Sequence, residues 1–310
     1  MKRALPLTAA LLLTGCEDTL SADPFVTDAE FLAALPRAED HTLAVASSTD
    51  STRDATPPPN EDDGWPDLLG MSLEVATNLN SLSLTCLTLV DAVVEFPPTY
   101  RSPDGRQWGP VDVDNDVTIA LDMVRTPDAY EWDFQAAATG SPELPSLCAG
   151  AHDPGTEDLS RGTGTLDIWL ENWDDMSTRG TLATEYDLTV GQELRIDIED
   201  VGDVGGRTES GAYYFLNTRA AGGDFQYRTT LLMDDGVDAI LEVRTRWTAR
   251  GEGRSDARVI SDDYPRDYRF SECFVSGGRK VWRWTDLAAG YEEGFEGRCA
   301  FDEPAAVDEI

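Results

Sequence analysis

Three aspartates at alternating positions, Asp112, Asp114 and Asp116, open the stretch DVDNDVTIALDM. Carboxylate oxygens at that spacing are what a calcium loop offers from its first, third and fifth positions. Such a loop also needs glycine at its sixth position and a bidentate glutamate at its twelfth, where this chain has Val117 and Met123. An acidic turn before a strand is the expectation, and no metal site is assigned. His152, in CAGAHDPG, could act as a general base if a serine reached it. No G-x-S-x-G accompanies it, so no catalytic residue is assigned either. The carboxylate pairs Asp174-Asp175, Asp234-Asp235 and Glu292-Glu293 are expected in turns. Trp169 with Trp173, and Trp282 with Trp284, each share one face of an expected strand. Exposed, such indoles stack on sugars or form a partner surface; aromatic stripes on strands more commonly pack.

Positioning any of these residues falls to a chain rich in alternation. Val117, Ile119, Leu121 and Met123 interleave with Thr118, Ala120 and Asp122. The same period-two pattern recurs at Leu166–Leu170, Leu182–Val190, Leu194–Ile198, Phe225–Met233 and Val237–Trp247. Two further strands are expected in YRFSECFVSGGRKVWRWTD, turning at Ser276-Gly277-Gly278. One wet and one buried face per strand, with short connections, means antiparallel hairpins. A sheet of about ten or more strands must curl or split.

One segment breaks the pattern. From Asp67 to Phe96, Leu69, Leu73, Ala76, Asn80, Ser83, Leu87, Val90 and Val94 follow helical spacing, with apolar residues at most positions. Asp67 is an N-cap candidate and Pro97-Pro98 ends the segment. SLSLTC, from Ser81, alternates and competes as a strand. Glu74, Asn78, Asn80 and Asp91 argue against a membrane span. The predicted fold is mainly β with one long helix: an antiparallel barrel or strongly curled half-barrel packed on or around that helix. No repeat of fixed period is visible.

With a net charge of −35, the protein is not expected to bind nucleic acid, which requires basic residues against phosphates. The only lysines are Lys2 and Lys280. Surplus surface acid is read as solubility in the protein's habitat, not as a site. Five cysteines are present. Without Cys16, the remaining Cys86, Cys148, Cys273 and Cys299 allow three pairings. Closeness in sequence favours Cys86–Cys148 and Cys273–Cys299. Zinc is the weaker reading, since C-x-x-C is absent and His41 and His152 are the only histidines. No cofactor is expected.

The N-terminus places the chain. Lys2 and Arg3 precede an apolar run, Leu5 to Leu13, too short to span a bilayer. Leu13-Thr14-Gly15-Cys16 then resembles the lipobox of bacterial lipoproteins. That resemblance covers these residues alone. It implies cleavage before Cys16, diacylglycerol on its thiol and acylation of its new amino group, a palmitate-type anchor of several chains. Stable attachment takes at least two chains. Glu17 and Asp18 follow the cysteine, and outer-membrane residence is the default expectation.

The predicted organisation is a signal peptide over 1–15 and an acidic, Pro/Ser/Thr-rich tether over 16–64 that cannot bury enough apolar surface to fold alone. Thr27-Asp28-Ala29-Glu30 reads as a capping box for a short helix within it, and His41 to Ala46 as a stray strand docking on the main domain. One domain over 65–303 and an acidic tail over 304–310 complete the chain. The leading functional expectation is a membrane-anchored binding or structural protein of the envelope, not an enzyme. Two alternatives accompany it: a carrier of apolar ligands similar in outline to lipocalin-like or lipoprotein-carrier barrels, and a hydrolase using carboxylates or His152.

Overall fold

A computed structural model describes residues 24–46 and 67–306, except 114–115, 156–157, 174–177, 204–207, 219, 233–237 and 288–289. Cys16 and its lipobox, Pro57-Pro58-Pro59, Asp114, Asp174-Asp175 and Asp234-Asp235 lie outside the described residues.

The main body is one antiparallel meander. Its fifteen described strands pair in chain order, from β1 (Tyr100–Ser102), β2 (Gly105–Val113), β3 (Val117–Arg125), β4 (Tyr130–Ala138) and β5 (Ser146–Pro154) at one edge. The middle holds β6 (Gly162–Trp169), β7 (Thr178–Asp187), β8 (Gln192–Asp203), β9 (Thr208–Asn217) and β10 (Gly222–Leu232). The far side holds β11 (Asp238–Thr248), β12 (Gly253–Ile260), β13 (Tyr268–Phe274), β14 (Lys280–Thr285) and β15 (Tyr291–Gly294). Register keeps one set of side chains on the inner face throughout. Phe215, Phe225, Thr245 and Ser255 lie in one cross-strand row, and Tyr213, Tyr227, Val243 and Ala257 in the next.

A long helix, α2 (Leu68–Val94), lies against that inner face, capped by the Asp67 side chain on the Gly70 amide. Its buried residues Leu69, Ser72, Ala76, Leu79, Ser83, Cys86, Val90 and Val93 recur every three or four positions and form one stripe. Glu74, Asn78, Ser81 and Asp91 point to solvent on the opposite side. SLSLTC is thus helical, its alternation fortuitous: Ser83 and Cys86 face inward while Ser81 and Thr85 return hydrogen bonds to carbonyls one turn back. By length and composition α2 could cross a membrane, but its apolar stripe is buried against the sheet.

The helix also measures the curl. Its Leu69 amide bonds to Glu272 on β13, and its Cys86 is joined to Cys148 on β5. Between those points the helix rises about 26 Å. The sheet between β5 and β13 runs about 38 Å at a normal strand spacing. The helix is therefore the chord of a strongly curled sheet, whose end strands β1 and β15 pair with nothing across the gap among the described residues. The curled half-barrel alternative is the one observed.

Residues 24–46 share the inner face with α2, although the sequence places them in a tether. Helix α1 (Pro24–Ala33) starts at Pro24, so Thr27-Asp28-Ala29-Glu30 lies inside it and is no capping box. Asp28 instead accepts hydrogen bonds from Arg101 and Arg106, at 3.0 and 2.6 Å. Phe31 is wholly buried, edge-on to Tyr130 and beneath the Arg106 guanidinium. After a 3-10 turn (Ala38–Asp40), residues 41–46 dock as expected but pair with no strand. Leu43 exchanges backbone bonds with the Asn80 side chain of α2, and Gln192 of β8 donates to the carbonyls of Asp40 and Thr42. An acidic composition misled here because so few apolar residues, Phe31, Leu35, Leu43 and Val45, do the docking. At the other end of the alternating pattern, Val190 lies in the turn beyond β7 and is exposed.

Two disulfides brace the body. Cys86–Cys148 holds α2 to β5 with Cα atoms 6.4 Å apart, and Cys273–Cys299 holds the segment after β15 to β13 at 5.4 Å.

Candidate functional site

The outer face of β11 to β15 carries a groove of about 520 Å³. It exists because the odd and even positions of these strands have opposite duties. On β12, Ser255 and Ala257 face the helix, so Arg254, Asp256 and Arg258 must face outward. The neighbouring outward positions are Glu242 on β11, Arg269 and Ser271 on β13, and Trp282 and Trp284 on β14. Trp282 and Trp284 do share one face, as their spacing predicts. Trp169 and Trp173 do not share a strand: Trp169 ends β6, a 3-10 turn follows, and Trp173 packs half-buried against the core.

The floor of the groove is rigid. Arg254 is 1 % exposed although it points away from the apolar core. Its guanidinium lies 5.0 Å from the centroid of the Trp282 ring and donates to Asp256 at 2.9 Å. Asp256 also accepts from Ser271 at 2.7 Å, and the Trp282 indole N–H donates to Glu292 at 2.8 Å.

A C-terminal strap forms the roof of this floor. After β15 the chain passes through a 3-10 turn (Glu296–Arg298) to Cys299, and residues 301–306 then cross back over the outer face. Arginines reach up to it: Arg244 donates to the Ala306 carbonyl, Arg246 to that of Glu303, and Arg254 to those of Phe301 and Asp302. Asp256 accepts from the Ala305 amide at 3.1 Å. Arg246 stacks 4.7 Å from the Phe301 ring centroid. Pro304, Ala305 and Ala306, placed by the sequence in an acidic tail, thus line the groove.

The rim is mixed in charge. Arg258 pairs with Asp267 and Glu242. Arg269 sits directly opposite Arg258 across the β12–β13 pair, and its guanidinium makes no hydrogen bond or ion pair to the described residues. Like charges facing across a strand pair are destabilising on their own. Trp284 is partly buried and lines the rim beside them. With Trp282 buried beside Arg254, the Trp284 indole, both signs of charge and the hydroxyl and carboxylate groups give a surface able to stack one flat or semi-flat ring and bond its edges.

The other sequence candidates have structural roles. His152 on β5 is 2 % exposed, with Nε2 2.8 Å from the Leu159 carbonyl and Nδ1 3.0 Å from the Tyr186 hydroxyl. The carbonyl only accepts, so Nε2 donates, and Nδ1 of the neutral ring is left to accept from the Tyr186 hydroxyl, which shares its hydrogen with the Ala151 carbonyl at 3.3 Å. Burial pushes the imidazole below its ordinary pKa, and no serine hydroxyl bonds to it among the described residues. His41 lies edge-on to the same tyrosine ring, 4.8 Å away, with neither ring nitrogen hydrogen-bonded among the described residues. Burial, helped by the charge of His152, pushes it down to about 4. Asp112 accepts from Thr118 near the tip of the β2–β3 hairpin. Glu292 and Glu293 lie within β15, not in a turn, and face opposite sides, toward Trp282 and Arg283. No cluster able to hold a metal occurs among the described residues. The concave face, where a carrier would keep its ligand, is filled by α2 and residues 24–46.

Opposite signs also meet in the core. Glu272 of β13 is 2 % exposed, bonds the Leu69 amide at 2.6 Å and pairs with Lys280 at 3.1 Å. Burial raises its carboxyl above the ordinary range against the pull of Lys280. No family profile, curated protein or solved structure matches this chain.

Proposed function

We propose that the chain is a lipid-anchored protein of the bacterial cell envelope, held in the outer membrane through Cys16, that binds a ligand without transforming it. The observation that carries the binding half is the groove on the outer face of β11 to β15, lined by Trp284 over a floor in which Arg254, Asp256 and Ser271 bond one another. Concave, partly aromatic sites with a few placed polar groups are where small ligands settle. The anchoring half rests on Leu13-Thr14-Gly15-Cys16 and is supported by two disulfides, which persist in oxidising compartments. The hydrogen bonds that occupy both nitrogens of His152 favour binding over hydrolysis.

Mass spectrometry of the mature N-terminus tests the anchor. Cys16 should be the first residue and should carry diacylglycerol. An unmodified Cys16, or one still joined to Gly15, refutes the anchored reading.

A further inference from the structure

We infer that the outer-face groove takes a saccharide, with one sugar ring laid on Trp284 and its hydroxyl edge turned to Arg269 and Glu292. The inference rests on the reading of the groove as a binding site and names its ligand class.

The shape of the chemistry decides among ligands. Carboxylates of Glu242, Asp256, Glu292 and Glu296 share the groove with guanidinium groups of Arg254, Arg258 and Arg269. An anion placed there meets the first set, and a cation meets the second. A fatty ligand would take the Arg269 guanidinium and the Glu292 carboxylate out of water and offer them no partner, and burying charged groups so is costly. A sugar hydroxyl both donates and accepts, so either set satisfies it. The C–H face of a pyranose supplies the apolar surface that an indole plane prefers. A polyanion such as nucleic acid is repelled by a chain of net charge −35.

Three features show the site is built to stay open. Arg254, Asp256 and Ser271 bond one another, so the floor does not need a ligand to hold its geometry. The strap is fixed at Cys299 by the disulfide to Cys273 and at four carbonyls by Arg244, Arg246 and Arg254. The Arg269 guanidinium, in contrast, stands opposite Arg258 with no hydrogen-bond partner among the described residues. A ligand hydroxyl at that point would give it an acceptor. Preorganisation of this kind raises affinity by lowering the ordering cost of binding.

The test uses the full-length protein, its lipidated Cys16 verified by intact mass, in a non-glycosidic detergent. It is applied to an array of neutral and acidic oligosaccharides, and hits are titrated by saturation-transfer NMR and calorimetry. At least one oligosaccharide should bind. Trp284→Ala should weaken that binding by about tenfold or more, in line with loss of a central aromatic anchor. Trp284→Phe should restore most of it, and both variants should keep a cooperative thermal transition, since the indole lies at the rim and not in the apolar core. Absence of any oligosaccharide hit overturns the inference, as does a hit that Trp284→Ala leaves unchanged. If a random peptide library binds at Trp284 and sugars do not, the saccharide fails and the binding reading survives. If Cys16 proves unmodified, the anchored reading fails whatever the array shows.

Discussion

The carboxylate of Glu272 accepts the backbone hydrogen of Leu69 across 203 residues of sequence, at 2.6 Å and out of contact with water. It ties the first turn of α2 to β13, and Lys280 from the adjoining strand neutralises it at 3.1 Å. Lys280 also pairs with Asp67 at 3.1 Å, so it keeps a partner when Glu272 is removed, whereas the Leu69 amide loses its acceptor. Glu272→Ala should therefore destabilise the fold by about 1–3 kcal/mol. Urea unfolding of the variant checks this; a change below about 1 kcal/mol would remove Glu272 from the structural role given to it.

The two disulfides should behave differently. Cys86–Cys148 closes a loop of 62 residues and joins helix to sheet, so replacing both cysteines by alanine should cost about 2–5 kcal/mol of global stability. Cys273–Cys299 closes a shorter loop of 26 residues and fixes the strap, so its removal should cost less global stability than the first and should free the strap. Limited proteolysis should then cut between residues 295 and 306, where the intact protein resists. Equal losses of global stability in the two variants would contradict this division.

Acid should loosen the inner face through His41. Its pKa in the folded state, about 4, lies below the ordinary 6.5 because burial disfavours the charged ring. Above 6.5 neither state binds the proton and the contribution to stability is complete. As pH falls from 6.5 toward 4 the unfolded chain takes up a proton that the folded chain refuses, and stability drops by about 3 kcal/mol. His152, shifted the same way, adds to the drop. His41→Leu should flatten the decline, read as urea midpoints at pH 7.5 and pH 4.5. A wild-type and a variant losing the same amount would rule His41 out as the source.

Glycines opposite aromatic rings mark the tightest points of the sheet. Gly223 and Gly253 flank Trp247 on both neighbouring strands, and a Cβ on Gly223 would overlap the indole. Gly223→Ala should cost about 1–3 kcal/mol by overpacking. Thermal unfolding measures it, and an unshifted midpoint would mean the indole has room to move.

Much of this was legible in the sequence where a period was clean. Leu166, Ile168 and Leu170, or Leu194, Ile196 and Ile198, alternate strictly and are buried on one face. The stripe from Leu69 to Val90 gave the helix, and the shared face of Trp282 and Trp284 gave the one candidate that became part of a groove. The strap was invisible, because Arg254 to Phe301 and Arg246 to Glu303 are contacts between side chains and backbone carbonyls, which no residue pattern encodes. The docking of residues 24–46 was hidden for a related reason: composition averages over a segment, whereas a handful of apolar side chains and the Asp28 ion pairs suffice to seat it.

The chord-like helix also sets an order of assembly. Every strand pairs with the one just before it in the chain, so the sheet can zip hairpin by hairpin with little loop closure. Among the described elements the helix is made before any strand, yet its first turn waits for β13, the thirteenth of the described strands to emerge. Until then its apolar stripe has only a growing, incompletely curled sheet to lie on, and exposed stripes of this kind are the ones that aggregate or recruit chaperones. The last strands to appear thus decide whether the first long element is ever sheltered.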